Sequence, residues 1–400
     1  MRILQLCHKP PYPPSDGGSI AMNQLTRGLI DQGIGVRVMA LAPSGTIEAT
    51  KKIPEKYRRE TLFECFPIDT KVKPLPAFIN LFTRESYNIS RFYCKDFAKR
   101  LQEILLEESF DIIQLEGLFL TPYISVIRQH TGSPVLFRSH NIEHYIWERM
   151  AKSTTNPVKK IYLKFLAARL KSYEMKTVHQ VDGLVAISPV DLRFFKKNGF
   201  AQPAVTIPVG VDTQTRQVSH SRPSVNSVFH LGSMDWRPNQ EGLRWFLEEV
   251  WPLVINGNPA LQFVLAGKNI PESFYQYQGP NVTVAGEVPD AAGFMQAHRL
   301  MVVPLRSGGG MRVKIIEGMA AGKAIVSTTI GAEGINCTHG ENILLADTAN
   351  EMAETILYCF SHNHVMEVME EKARSFALEN HSMKPIIDKL IAFYNRFSGE

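Results

Sequence analysis

Ser307-Gly308-Gly309-Gly310-Met311-Arg312-Val313-Lys314-Ile315-Ile316-Glu317-Gly318-Met319-Ala320-Ala321-Gly322 is the stretch from which the rest of the sequence is best read. It follows the apolar run Leu300-Met-Val-Val-Pro304, strand-like in composition, and runs on with helical spacing. A glycine run between a strand and a helix lets the backbone take positive φ and approach a ligand closely. Successive N–H groups and the helix N-terminus then cradle a phosphate. Arg312 and Lys314 add cationic donors. Glu317, one helical turn beyond Lys314, shares its face and is placed to accept hydrogen bonds from ribose hydroxyls. The blander reading is a turn followed by a helix with an exposed Lys314 and Glu317 pair, but this order of glycines, cations and carboxylate exceeds ordinary turn chemistry.

Outward from that segment, strand and helix patterns alternate. Arg2-Ile-Leu-Gln-Leu-Cys7, helical spacing over 21–32 and Gly35-Val-Arg-Val-Met-Ala-Leu41 form a βαβ unit. Phe110-Asp-Ile-Ile-Gln-Leu115, Pro134-Val-Leu-Phe-Arg138 and Asp182-Gly-Leu-Val-Ala-Ile-Ser188 continue the series. After Pro203-Ala-Val-Thr-Ile-Pro208-Val-Gly210, residues 212–227 are polar and without period, which marks a domain boundary. A second series runs through Val228-Phe-His-Leu-Gly232, Leu261-Gln-Phe-Val-Leu-Ala-Gly267, Val282-Thr-Val284, Leu300 to Pro304, Ala324-Ile-Val-Ser327 and Ile343-Leu-Leu345. The pattern predicts an α/β protein of two Rossmann-like domains with parallel sheets, 1–210 and 211–380. The apolar helix near 381–400 closes the chain and packs back on the first domain or stays with the second.

Length and composition agree. A chain of 400 residues, 44% hydrophobic and 21% charged, has material for two cores and no uninterrupted apolar run of about 18 residues. The N-terminus reaches His8-Lys9-Pro10-Pro11 before a signal-like run forms, so a cytoplasmic location is expected. The five cysteines form no C-x-x-C pair and suit a reducing compartment. A net charge of +5 is too modest to argue for nucleic acid, and no metal-ligand spacing is present. Lys159-Lys-Ile-Tyr-Leu-Lys-Phe-Leu-Ala-Ala-Arg-Leu-Lys171 is a cationic amphipathic helix. It reads as a solvated face, with peripheral contact to an anionic membrane at the inner face of the membrane as the alternative.

The glycine segment followed by Ala324-Ile-Val-Ser327 resembles the donor-site signature of GT4-like, retaining glycosyltransferases of the GT-B fold. The resemblance extends to Pro14-Ser-Asp-Gly17-Gly18, His140-Asn-Ile-Glu143, Asp182 to Ser188, Ile207-Pro-Val-Gly210-Val-Asp212 and Gly286-Glu287-Val288-Pro-Asp290, and so over nearly the whole chain. It implies two domains facing a central cleft, 1–210 on the acceptor side and 211–380 binding the donor, and transfer with retention and without an essential metal or other cofactor. The donor is a nucleotide-diphosphate sugar, and the acceptor a hydroxyl of a glycan or lipid-linked glycan, in polysaccharide biosynthesis. By the same resemblance Gly17 and Gly18 meet the sugar or the diphosphate, and His140 approaches the donor sugar from the N-terminal domain. The backbone at Gly286, Glu287 and Val288 meets the base. Gly309, Gly310 and Met311 line the donor site with Arg312, Lys314 and Glu317.

Gly309 stands where many members carry a glutamate, and Gly232-Ser233-Met-Asp235-Trp-Arg-Pro238-Asn239 offers Ser233 and Pro238 where they carry an arginine and a lysine. The diphosphate cations are therefore read as Arg312 and Lys314, with Gly232, Ser233 and Asn239 lining the donor side. Asp235 or Asn239 is expected to cap the following helix. Glu116, at a strand end, is expected to reach acceptor or sugar. The rival functions are a nucleotide-sugar epimerase and a non-catalytic nucleotide-binding subunit, which Gly309 keeps open. A nicotinamide dehydrogenase is disfavoured because no G-x-G-x-x-G follows the first strand.

Overall fold

The computed structural model describes residues 1–14, 16–71, 80, 86–211 and 226–397. Ser15, Asp212 and nearly all of the aperiodic stretch up to residue 225 lie outside the described residues. The chain divides into two compact units, Met1–Gly210 with Met383–Glu400, and Val211–Ser382.

Unit 1 is built on β1 (Arg2–Cys7), β2 (Gly35–Pro43), β3 (Glu64–Ile68), β4 (Ile112–Glu116), β5 (Val135–Ser139), β6 (Gly183–Ala186) and β7 (Ala204–Thr206). Their order in the sheet is β3-β2-β1-β4-β5-β6-β7. Every pairing is parallel. The central strands β4, β5 and β6 are buried along their whole length, as strands covered by helices on both faces must be. Unit 2 repeats the design with β8 (Ser227–Leu231), β9 (Gln262–Ala266), β10 (Val282–Gly286), β11 (Leu300–Val303), β12 (Ala324–Ser327) and β13 (Leu344–Leu345). Its parallel order is β10-β9-β8-β11-β12-β13.

Both sheets reverse strand order once, between β1 and β4 and between β8 and β11. In open α/β sheets the loops leaving the strand carboxyl ends diverge at such a reversal and leave a crevice where ligands bind. The loops after β1 and β4 in unit 1 and after β8 and β11 in unit 2 leave the sheets there, while His140 follows the neighbouring β5 and Gly286 to Val288 lie at the end of the edge strand β10.

The strand pattern read from the sequence is present, with β3 as the addition. Glu64-Cys-Phe-Pro67-Ile68 escapes the pattern because it is an edge strand with one neighbour, where a proline and a charged residue are tolerated. The first helix, Gly17–Asp31, begins earlier than its apolar spacing suggests. Asp16 forms a capping box, taking the N–H groups of Gly18 and Ser19, and so carries the helix through its glycine pair.

The C-terminal helix Met383–Tyr394 packs on unit 1, with Ile387, Leu390 and Phe393 against Met22, Leu25 and Leu29 of the first helix. The Tyr394 hydroxyl donates to buried Gln114 on β4. Leu390 has no exposed surface. Leu390→Ala is therefore expected to lower the unfolding free energy of unit 1 by about 2–5 kcal/mol, read from its urea transition. A loss below about 1 kcal/mol would place this helix outside the core.

Candidate functional site

In unit 2, the loop leaving β11 carries Ser307 to Arg312 and leads into the helix Val313–Ala320. Gly308 and Gly310 sit at φ of 105° and 80°, the left-handed region that the glycine run provides. No side chain caps the helix, which leaves its first N–H groups available to a ligand. Met311, Lys314 and Glu317 form its partly exposed strip while the residues between them are buried, so Lys314 and Glu317 do share a face.

Arg312 and Lys314 are placed differently from one another. The Arg312 guanidinium turns back into its own loop, donating from Nη1 to the carbonyls of Gly309 and Gly310. It lies 4.8 Å from the Trp236 ring centre. Trp236 also fills the space beside Gly308, where a Cβ would come within 2.7 Å of the indole. Arg312 thus braces the loop from behind rather than pointing away from it, unlike the expectation that both cations face a diphosphate. Lys314 reaches toward β8. Its Nζ donates to Asn239 Oδ1 at 3.0 Å and to His230 Nε2 at 3.2 Å. Burial, then the neighbouring Arg312 charge, pulls this amine down to about 7, against a pull upward from Glu317.

Gly232 follows β8 with Lys314 Nζ close beside it, 2.4 Å from where a Cβ would stand. Neither expected cap forms on the helix Arg237–Trp245. Asn239 donates instead to the Ser233 carbonyl at 2.6 Å while accepting from Lys314. Asp235 accepts from Asn269 and Ser233, at 2.7 and 3.2 Å. Both side chains are drawn into loop contacts that the strand-loop-helix pattern does not announce. At the end of β10, Gly286 has φ 76° and its carbonyl accepts from Gly267 N at 2.8 Å. Glu287 is exposed, beside Lys268 at 3.5 Å, and Val288 is partly buried.

In unit 1, the candidates gather on one carboxylate. Glu116 is wholly buried. Its Oε1 accepts from Gln5 and Gln114 at 2.9 and 2.6 Å, and its Oε2 from Arg138 and His140 at 3.0 and 2.6 Å. Burial works to raise its pKa, but the Arg138 charge and the bonds from His140 and Gln5 outweigh it and hold the carboxyl well below the usual range. With both oxygens occupied and no exposed surface, Glu116 is the support of His140 and Arg138. The acceptor or sugar contact expected from its place at a strand end is corrected by that burial.

His140 donates Nε2–H to Glu116, and burial lowers its basicity, so the imidazole is neutral with its lone pair on Nδ1. His8 stands edge-on to it, ring centres 6.0 Å apart, and donates Nδ1–H to the Glu116 carbonyl at 2.7 Å. Burial, then Lys9, lowers His8 to about 3. Lys9 bridges to Asp16 at 2.6 Å, beside Gly17 and Gly18 at the start of the first helix. Glu143 opens the helix Glu143–Ser153, whose first N–H groups are taken by buried Glu174. Burial, then Glu174, pushes Glu143 up to about 8.

The sequence reading missed Arg138, Gln5 and Gln114 around Glu116, and His230 and Trp236 around the glycine loop. A charged or polar residue within an otherwise apolar strand, as in Val-Leu-Phe-Arg138 and Val-Phe-His230-Leu, was the available signal.

Residues 15–215, half of the chain, match the family described as Glycosyltransferase Family 4. The chain belongs to glycosyltransferase family 4. Residues 225–362 match Glycosyl transferases group 1. A Klebsiella pneumoniae relative, named an uncharacterized 44.6 kDa protein in the cps region, is 24% identical over 95% of this chain and 96% of its own. Two solved structures, each 15% identical, share the fold. Sucrose-phosphate synthase from Thermosynechococcus elongatus has a TM-score of 0.73 over 99% of both chains. Anabaena HepE in complex with UDP-glucose has 0.67 over 99% of this chain and 100% of its own. The fold is therefore GT-B, and the activity class of this family 4 member is glycosyl transfer.

Because removing one member of a buried ion pair strands the other, Glu116→Gln is expected to cost about 3–5 kcal/mol at pH 7. Since the folded carboxyl titrates lower than the unfolded one, this contribution is present above the unfolded value of about 4.3 and is lost as pH falls below it. The gap between wild type and variant in urea denaturation should therefore close with acidification. A gap that stays constant down to about pH 3 would contradict the assignment.

Proposed function

We propose that the chain transfers a sugar from a nucleotide-diphosphate sugar to a hydroxyl acceptor, with retention of configuration and no essential metal. The observation that carries this reading is the uncapped helix Val313–Ala320 behind the Gly308 to Gly310 turn, with Lys314 and Glu317 on one partly exposed strip. An anion at such a terminus meets backbone N–H groups and the positive end of the helix dipole. The UDP-glucose bound to HepE supports a nucleotide sugar as the donor. The relative from the cps region supports a glycan or lipid-linked glycan as the acceptor, in polysaccharide biosynthesis.

In the transfer, the acceptor oxygen bonds to the anomeric carbon as the bond from that carbon to the diphosphate breaks. The electron pair leaves with the nucleoside diphosphate, and the acceptor proton passes to it. Charge grows on the departing oxygen, and the loop N–H groups with Lys314 oppose it. Preorganised donors of this kind are worth about 3–4 kcal/mol each. Arg312 keeps the loop in shape for that task, Glu317 holds the ribose, and neutral His140, fixed by Glu116, offers a hydrogen bond to the sugar.

The Pro157–Val178 helix supports a peripheral seat on an anionic membrane. Val158 and Ile161 stand 76% and 70% exposed beside Lys159, Lys160 and Lys164. Among the described residues no helix is long and apolar enough to cross a membrane.

Thermal-shift screening against UDP, GDP, ADP and their sugars, with EDTA present, is expected to show stabilisation by one nucleotide class. No shift with any of them would sink the donor assignment. Glu317→Ala should weaken that nucleotide by roughly 10-fold or more, as the loss of a charged hydrogen-bond acceptor does. Arg312→Ala should lower turnover by about 100-fold through a slackened loop while the fold persists. Turnover close to wild type in Arg312→Ala would remove the loop from the mechanism, and NMR of the product anomer decides retention.

A further inference from the structure

One neighbouring segment, Trp236 with the helix Arg237–Trp245 behind it, runs alongside the glycine loop and meets it from end to end. Just beyond β11, Gly242 packs so closely on the Pro304 carbonyl that a Cβ there would collide with backbone. The Arg306 guanidinium stands 5.3 Å from the Trp245 ring centre, and Ser307 Oγ donates to Glu241 Oε2 at 3.0 Å. The other Glu241 oxygen accepts from Arg237 Nε at 2.7 Å, one helical turn away. At the far end of the loop, Asn239 accepts from Lys314 at 3.0 Å. The middle of the loop rests on Trp236, whose own carbonyl accepts from Asn239 N at 2.9 Å in the first turn of the helix. Indole Cζ2 and Cη2 lie 2.7 and 2.8 Å from where a Cβ of Gly308 would stand, so this position calls for glycine twice, for its φ of 105° and for the space. The same ring holds the Arg312 guanidinium, 4.8 Å from its centre, and that guanidinium donates to the Gly309 and Gly310 carbonyls. A single aromatic side chain therefore supports the whole turn, directly at Gly308 and through Arg312 at Gly309 and Gly310.

We propose that Trp236 is a positioning residue for donor binding: acting through Gly308 and Arg312, its indole sets the shape of the glycine turn and so the aim of the N–H groups at the start of the helix Val313–Ala320. The inference rests on the donor-site reading above. Glycine loses more backbone freedom on ordering than any other residue, so three in a row without a support would visit the anion-binding shape only part of the time. Affinity then falls by the fraction of time that shape is present. The indole holds the turn before the donor arrives. An aromatic face suits the task because it attracts the guanidinium without supplying a carboxylate that would cancel the positive charge beside the helix terminus.

The test pairs isothermal titration calorimetry of the full chain against UDP-glucose, GDP-mannose and ADP-glucose with amide hydrogen exchange of the free protein. Trp236→Leu keeps an apolar side chain and removes the aromatic face. It should weaken the donor that binds by about 10-fold, the loss expected when the competent turn falls to roughly a tenth of the population. Amides of residues 306–314 should exchange faster in this variant while β8, β9, β11 and β12 keep their protection. Trp236→Phe, with an aromatic face restored, should recover most of the affinity. Arg312→Ala added to Trp236→Leu should weaken binding little further, because both substitutions release the same turn. Wild-type affinity in Trp236→Leu overturns this inference and leaves the donor site standing. Faster exchange throughout unit 2, or a Trp236→Phe variant as weak as Trp236→Leu, makes Trp236 a packing residue and overturns the positioning role. Full additivity of the two substitutions overturns the route through Arg312. Binding of none of the three sugars by the wild type overturns both this inference and the donor reading.

Discussion

A carboxylate with no access to water is the constraint on which unit 1 depends. Glu116 and Arg138 face each other directly across the β4 and β5 ladder, so the sheet register itself makes the ion pair. Leaving water is costly for both charges, and the cost is met only where each remaining lone pair finds a donor. Gln5 from β1, Gln114 from β4 and His140 from the loop after β5 supply those donors. Each is fixed in turn: Gln5 accepts from Thr26 in the first helix at 2.6 Å, and Gln114 from Tyr394 near the C-terminus. Three strands, the first helix and the closing helix are thereby tied to one charge. The orientation of His140 is a consequence, since its Nε2–H has an anionic acceptor that selects a single ring position and tautomer.

Unit 2 handles charge in the opposite way. Around the glycine segment, Arg312 and Lys314 meet carbonyls, an amide, an imidazole lone pair and an aromatic face. Neutral acceptors satisfy the geometry of a cation without cancelling its charge, so the positive potential of Arg312, Lys314 and the helix terminus is retained for an anion. Burial first, and then the Arg312 charge, lowers the Lys314 amine.

The sequence by itself determined the class of fold and the glycine turn that leads into the helix Val313–Ala320. Apolar runs of strand length separated by helical spacing recur on both sides of an aperiodic linker, and a parallel α/β sheet follows from that alternation because both of its faces must be covered. The glycine run was legible for a similar reason, since positive φ at Gly308 and Gly310 is a local demand with few chemical solutions. The tertiary structure decided what each polar side chain does. Glu116 at a strand end and Arg312 behind a glycine loop look alike in sequence as ligand-facing charges. One proves to be buried under four donors, and the other is folded onto its own carbonyls against Trp236. Three of the donors to Glu116 stand 22 to 111 positions away from it, and the tryptophan stands 76 positions before Arg312, brought close by sheet register and helix packing. Periodicity records which face of an element is covered, but not which distant group covers it, and so burial and partnership were settled only when the chain was folded.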